Sequence, residues 1–158
     1  HFGKRIPTFD EYVRNDIAAL QETGVLQDWN TIPFETFWDT PAMWEAWRTY
    51  LHSGLNAPVG MGLYALQLKP FLDLPNQLLV LRSEDLKANS NATFQQVLQF
   101  LELPAYELPS YPLSNHAREP VTISPETQQL LEEVFKPFNR KLQDLLGEGW
   151  KGGWESSQ

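Results

Sequence analysis

The sequence predicts an α/β chain that is mostly helical, with one parallel-type strand at residues 77–82. Three observations lead to that class. Several segments repeat apolar residues at three- and four-residue spacing, the period of a helix with one buried face. One run, Gln77-Leu78-Leu79-Val80-Leu81-Arg82, is apolar through its centre and too short for an independent helix, as expected of a strand buried on both faces. Twelve prolines and nine glycines punctuate the rest. A lone strand would bury unpaired N–H and C=O groups, so its partners are expected from residues upstream of His1.

The elements follow in order. Thr8 and Glu11 have capping-box spacing, and Phe9, Val13, Ile17 and Leu20 recur about every four residues until Gly24, which predicts a helix over 8–23. Residues 25–40 read as a loop with a short helical turn. Thr40-Pro41 supplies an N-cap and an N1 proline for a helix to about His52, with Met43, Trp44, Trp47 and Leu51 as its stripe. A connection over 53–60 precedes a helix built on Leu63, Tyr64, Leu66 and Leu68. After the strand, Phe94, Val97, Leu98 and Leu101 predict a helix from Asn91 or Ala92 to Leu103, closed by Pro104. A proline-punctuated loop covers 104–120. Ser124-Pro125-Glu126 opens a long helix to Gly147, in which Pro137 is expected to make a kink or a break.

The 158 residues carry 20 acidic and 12 basic side chains, a net charge of −8. Such a chain offers no basic field for a nucleic acid or an anionic membrane surface. No cysteine is present, which excludes disulfides, thiolate metal sites and a cysteine nucleophile. His1, His52 and His116 lack metal-ligand spacing, so no metal is expected. No apolar run reaches transmembrane length, and the opening His1-Phe2-Gly3-Lys4-Arg5 has neither an initiator methionine nor a leader. The chain reads as one partial domain of a longer protein, cytoplasmic by default.

The ordered set Gln77-Leu-Leu-Val-Leu-Arg-Ser-Glu-Asp-Leu86, then Thr93-Phe94 through Phe100-Leu-Glu-Leu-Pro104, resembles the later half of the sulfotransferases that use 3′-phosphoadenosine 5′-phosphosulfate (PAPS). Gly62 to Leu68 looks like the helix these enzymes carry before that strand, and Phe135 to Leu142 like their closing helix. The resemblance covers about residues 60–150, is nearest the bacterial and carbohydrate branches, and implies the C-terminal portion of a P-loop-type fold. Residues 1–59 would then be a helical, Trp-rich acceptor-side region, and 151–158 a frayed tail. It further implies PAPS as co-substrate, a hydroxyl-bearing acceptor such as a carbohydrate, and the upstream remainder of the domain as partner. The family's 5′-phosphosulfate loop and general base would lie upstream. Neither Gly60-Met61-Gly62 nor Gly147-Glu148-Gly149 leads into the Lys-Ser or Lys-Thr that a phosphate loop needs.

Carried onto this chain, the family's late Lys-Gly-Arg cofactor loop corresponds to His116-Ala117-Arg118. Only Arg118 matches outright, and a guanidinium grips phosphate with two parallel charge-assisted bonds. Tyr64, Trp38 and Trp44 are candidates for the acceptor side, since aromatic faces stack on sugar rings; packing into the core is the competing reading for each. Glu84-Asp85 reads as a helix-start pair. Asn91-Ala92-Thr93 has the form of a glycosylation sequon but, with no leader, reads as a helix cap. Two functions from different classes remain: part of a sulfotransferase, inactive alone, or a non-catalytic helical interaction module derived from one.

Overall fold

A computed structural model of the chain describes residues 7–53, 57–74, 77–109, 122–147 and 150. The chain divides into two compact units, His1–Pro70 with Val121–Gln158, and Phe71–Pro120. The first holds helices α1 (Phe9–Glu22), α2 (Phe34–Phe37), α3 (Pro41–Leu51), α4 (Tyr64–Leu68) and α7 (Pro125–Leu146), with a 3-10 turn at Gly60–Gly62. The second holds α5 (Ser83–Ala88) and α6 (Ser90–Phe100), packed on each other.

Local signals set the helix starts of the first unit. Thr8 and Glu11 close the expected capping box: Glu11 N donates to Thr8 Oγ1 at 3.3 Å and Thr8 N donates to Glu11 Oε2 at 2.7 Å. Thr40 caps α3 by accepting from Met43 N, and Ser124 caps α7 by accepting from Thr127 N, each at 3.2 Å. Proline follows each of these last two caps, where its missing N–H costs nothing. The 22-residue α7 runs unbroken through Pro137. Val134, Phe138 and Leu142 are buried on either side of that proline, and their burial, about 1.5–3 kcal/mol for each, offsets the roughly 3 kcal/mol that an interior proline costs.

The core of this unit joins α1, α3, α4 and α7 through Val13, Ile17, Leu20, Met43, Leu63, Leu66 and Phe138. Phe34 lies edge-on to both Phe138, at 5.0 Å between centroids, and Trp29, at 5.2 Å. A side chain at Gly62 would meet the Phe135 ring at 2.7 Å, so only glycine lets this turn approach α7.

One polar group lies inside this apolar frame. Asp16, 2% exposed, stands on the α1 stripe between Val13 and Ile17. Its carboxylate accepts from Tyr50 Oη at 2.5 Å, Val59 N at 2.7 Å and Gly60 N at 3.2 Å. α1, α3 and the glycine turn are thereby joined at one point. Gly60 is required there, because a Cβ would fall 2.2 Å from the Tyr50 hydroxyl oxygen.

The expected α/β class and the strand at 77–82 are both overturned. Among the described residues there is no strand and no sheet, and residues 78–82 run as an irregular, half-buried segment. Among the described residues no second extended segment takes up its N–H and C=O groups, and the Arg82 carbonyl accepts from Leu86 N in the first turn of α5. The hydrophobic run is real; its period reports burial and does not create a pairing partner. The cap of α6 also differs from expectation: Ala92 N donates to Asn89 Oδ1 at 3.0 Å, so Asn89 and not Asn91 starts the helix. Glu84 and Asp85 do fall in the first turn of α5, where carboxylates favour the helix dipole.

Asp16→Ala strands three buried donors at about 1–3 kcal/mol each, so a loss of at least about 3 kcal/mol is expected in the urea unfolding free energy. A loss below about 1 kcal/mol would show that the carboxylate is dispensable.

Candidate functional site

Two of the three acceptor-side candidates, Trp38 and Trp44, lie at the corner between α2 and α3. α2 ends at Phe37, Trp38 follows, and Asp39 takes a left-handed conformation with φ 60° before Thr40 starts α3. Thr40 Oγ1 donates to Phe37 O at 2.8 Å and holds the corner shut. The turn brings Trp38, Asp39 and Trp44 together. Trp44 Nε1 donates to Asp39 Oδ1 at 2.8 Å, and Lys69 Nζ lies 3.4 Å from Asp39 Oδ2. Lys141 Nζ pairs with Glu35 Oε2 at 2.5 Å and sits 5.7 Å above the centroid of Trp38. Both lysine stems are largely covered, with side chains 25% and 16% exposed, so their ammonium groups are held in place.

Chemically this corner is a rigid aromatic surface carrying two ammonium groups and two carboxylates. Such a set suits a hydroxyl-rich ligand. Trp38 already has Phe34 at 5.6 Å and the Lys141 ammonium over its ring. What it offers a ligand is chiefly the cation it positions. Trp44 is half-buried, its indole N–H spent on Asp39, and Trp47 has gone into the core, stacked on Tyr50 at 5.4 Å. Tyr64 opens α4 and is 51% exposed, so its ring faces solvent. It makes no part of the corner's hydrogen bonding. The cofactor-loop candidates His116, Ala117 and Arg118 lie outside the described residues.

Two open grooves lie elsewhere. One, of about 600 Å³ in the first unit, is lined by Thr23, Arg48, Thr49, His52 and Ser53. It sits at the C-terminal ends of α1 and α3, where the dipoles disfavour an anion; His52 Nδ1 lies 2.7 Å from Arg48 O, and Arg48 pairs with Glu45. The other, about 510 Å³ in the second unit, is walled by Leu81, Leu86, Phe94, Val97 and Leu108 with Thr93 among them. Among the described residues no group of three or more His, Asp or Glu could hold a metal ion. No helix of the described residues is long and apolar enough to cross a membrane.

Sequence reasoning missed Asp16 and Tyr50. The available signal was a carboxylate at the i+3 position of the stripe Val13, Asp16, Ile17, Leu20, where a helix buries its face. Burial first, and then the hydrogen bond to Asp16, push the Tyr50 phenol above its ordinary 10.0. With no open path to a ligand and each carboxylate oxygen already accepting, the pair serves the frame.

The comparisons with known proteins bear on this chain through one set of relatives. It is similar to carbohydrate sulfotransferase 15 of Homo sapiens, 33% identical over 117 residues that take in 64% of this chain and 21% of that protein. The Mus musculus and Rattus norvegicus proteins of the same name match at 34% and 33% identity over the same length. The chain thus spans about a fifth of the length of the curated relatives it matches. No family model and no solved structure matches it.

Two outcomes are expected from this geometry. Asp39→Ala and Asp39→Gly both lose the Trp44 and Lys69 partners, but only alanine keeps a side chain at positive φ. Alanine should therefore be the less stable by about 1–2 kcal/mol in chemical denaturation, and equal stabilities would remove the left-handed strain from the account. For Tyr50 the folded value lies above the unfolded one, so its contribution is full below pH 10 and is lost as pH rises beyond it. Stability should fall above that pH by up to about 1.4 kcal/mol per pH unit from this group, and Tyr50→Phe should flatten the alkaline limb. An unchanged slope in the variant would assign the fall to other groups.

The relatives that the chain matches are, by name, carbohydrate sulfotransferases.

Proposed function

We propose that this chain is part of a sulfotransferase that moves a sulfuryl group from PAPS to a hydroxyl of a carbohydrate-class acceptor. The observation that carries the reading is the 33% identity to carbohydrate sulfotransferase 15 over 117 residues. The ordered sequence features over residues 77–104 and 135–142 point the same way.

In the reaction the acceptor oxygen attacks sulfur in line. The bond from sulfur to the phosphate-bridging oxygen breaks, the acceptor's proton passes to a base, and the nucleotide leaves as the 3′,5′-bisphosphate. Catalysis of this kind rests on positioning and on charge placed against the transferring oxygens. Arg118 is the residue of this chain assigned to the nucleotide's phosphate, with His116 and Ala117 beside it in the same loop. The corner of Trp38, Trp44, Lys69 and Lys141 is assigned to the acceptor, its aromatic rings and paired charges suiting a hydroxyl-rich ligand. The sequence lacks a glycine loop leading into Lys-Ser or Lys-Thr, so residues 1–158 alone are expected to be inactive.

Titration calorimetry with adenosine 3′,5′-bisphosphate tests the reading on the full-length source protein. Full-length protein should bind, and Arg118→Ala should weaken binding about tenfold or more, the loss of a charge-assisted bidentate pair. Absence of binding by the full-length protein would defeat the sulfotransferase assignment. Binding unchanged in Arg118→Ala would defeat the role given to that residue.

A further inference from the structure

We propose that Asn91 is a site of N-linked glycosylation. The inference rests on the second unit alone and stands apart from the sulfotransferase reading; it places the chain in the secretory lumen, in place of the cytoplasm taken by default from the sequence.

Of the eight asparagines in the sequence, at 15, 30, 56, 76, 89, 91, 115 and 139, only Asn91 is followed by any residue but proline and then Ser or Thr. That pattern by itself has a second explanation, a helix cap, and the structure removes it. The cap of α6 is Asn89, whose Oδ1 accepts from Ala92 N at 3.0 Å. Asn91 stands one residue inside the helix, on its first turn, and is exposed. Both hydrogen bonds to its side chain end on Oδ1, from Gln95 Nε2 and from Leu108 N, each at 3.4 Å. Its amide nitrogen, the atom that glycosylation uses, has no partner among the described residues. A glycan on Nδ2 would leave the Oδ1 acceptor in place, so the modified and unmodified side chains fit the same fold.

Thr93 completes the pattern and is equally informative. In the folded chain it is 3% exposed and its Oγ1 donates to Asn89 O at 3.1 Å. The hydroxyl that the transferring enzyme must read is therefore accessible only before folding. Transfer to Asn91 would therefore have to precede folding, as it does on a chain still entering the secretory lumen. The glycan donor is a polyprenyl-diphosphate-linked oligosaccharide. A bond forms between Asn91 Nδ2 and the anomeric carbon, the anomeric C–O bond to diphosphate breaks, polyprenyl diphosphate departs, and the amide proton passes to the transferase's base.

The protein isolated from the cells that make it should lose one discrete mass step on treatment with peptide-N-glycosidase, with Asn91 converted to Asp in the released peptide. Introduced into the same cells, Asn91→Gln should abolish the step, and Thr93→Ser should retain the step at lower occupancy. Circular dichroism of Asn91→Gln should match the parent, because the exposed amide is not part of the cap. Endogenous protein insensitive to the glycosidase would overturn the proposal, as would a mass step that survives Asn91→Gln.

Discussion

The first unit depends on a single carboxylate. Asp16 is buried among apolar side chains and accepts from a phenol and two backbone amides, so all three donors are satisfied by one group. Removing a charged group from water is expensive unless such partners are supplied in full. Here they arrive from two separate stretches of chain, the end of α3 and the glycine turn, and the carboxylate joins both to α1. The arrangement therefore fixes more than stability. It sets where the turn at Gly60–Gly62 begins, and with it the point from which α4 starts.

From that anchor the remaining packing follows by exclusion. Tyr50 occupies the space that any side chain at Gly60 would need, and Phe135 occupies the space at Gly62. The glycines are thus matched to two particular aromatic rings. The left-handed Asp39 is matched in the same way, its carboxylate held by Trp44 and Lys69 on either side of the α2–α3 corner. Strain at that residue is balanced by hydrogen bonding that a relaxed corner would forgo. The lysines of the corner are ordered by their aromatic and acidic neighbours, and this is the kind of prior ordering that ligand binding uses to limit its entropic cost.

The second unit is organised differently. Thr93 and Leu98 are its buried residues among those described, while Phe71, Leu74, Leu101, Leu103 and Tyr106 are exposed. Its order comes mainly from short-range hydrogen bonds: Asn89 capping α6, Ser90 Oγ donating to Leu86 O at 2.8 Å, and Gln95 Nε2 donating to Tyr106 O at 2.6 Å. Side-chain bonds of this type fix a path for the backbone without a large core.

What the sequence determined by itself was the local structure. The starts of α1, α3 and α7 were legible because a cap and its first turn lie within four residues, and the apolar stripes of those helices were legible because burial imposes a period. The ordered features of residues 60–150 pointed to sulfotransferases, and the similarity to carbohydrate sulfotransferase 15 agrees. Tertiary structure alone decided the rest. Residues 77–82 look like a strand in isolation, yet a strand exists only where another segment supplies its hydrogen bonds, and none of the described residues does. Asn89 and Asn91 are equivalent by composition, and only the backbone geometry at the start of α6 chooses between them. Asp16 reads as an interruption of an apolar stripe until Tyr50, 34 residues further on, and Gly60, 44 residues on, are brought to it. In each case the deciding interaction links residues whose separation carries no period, and such contacts are written in space before they can be read in sequence.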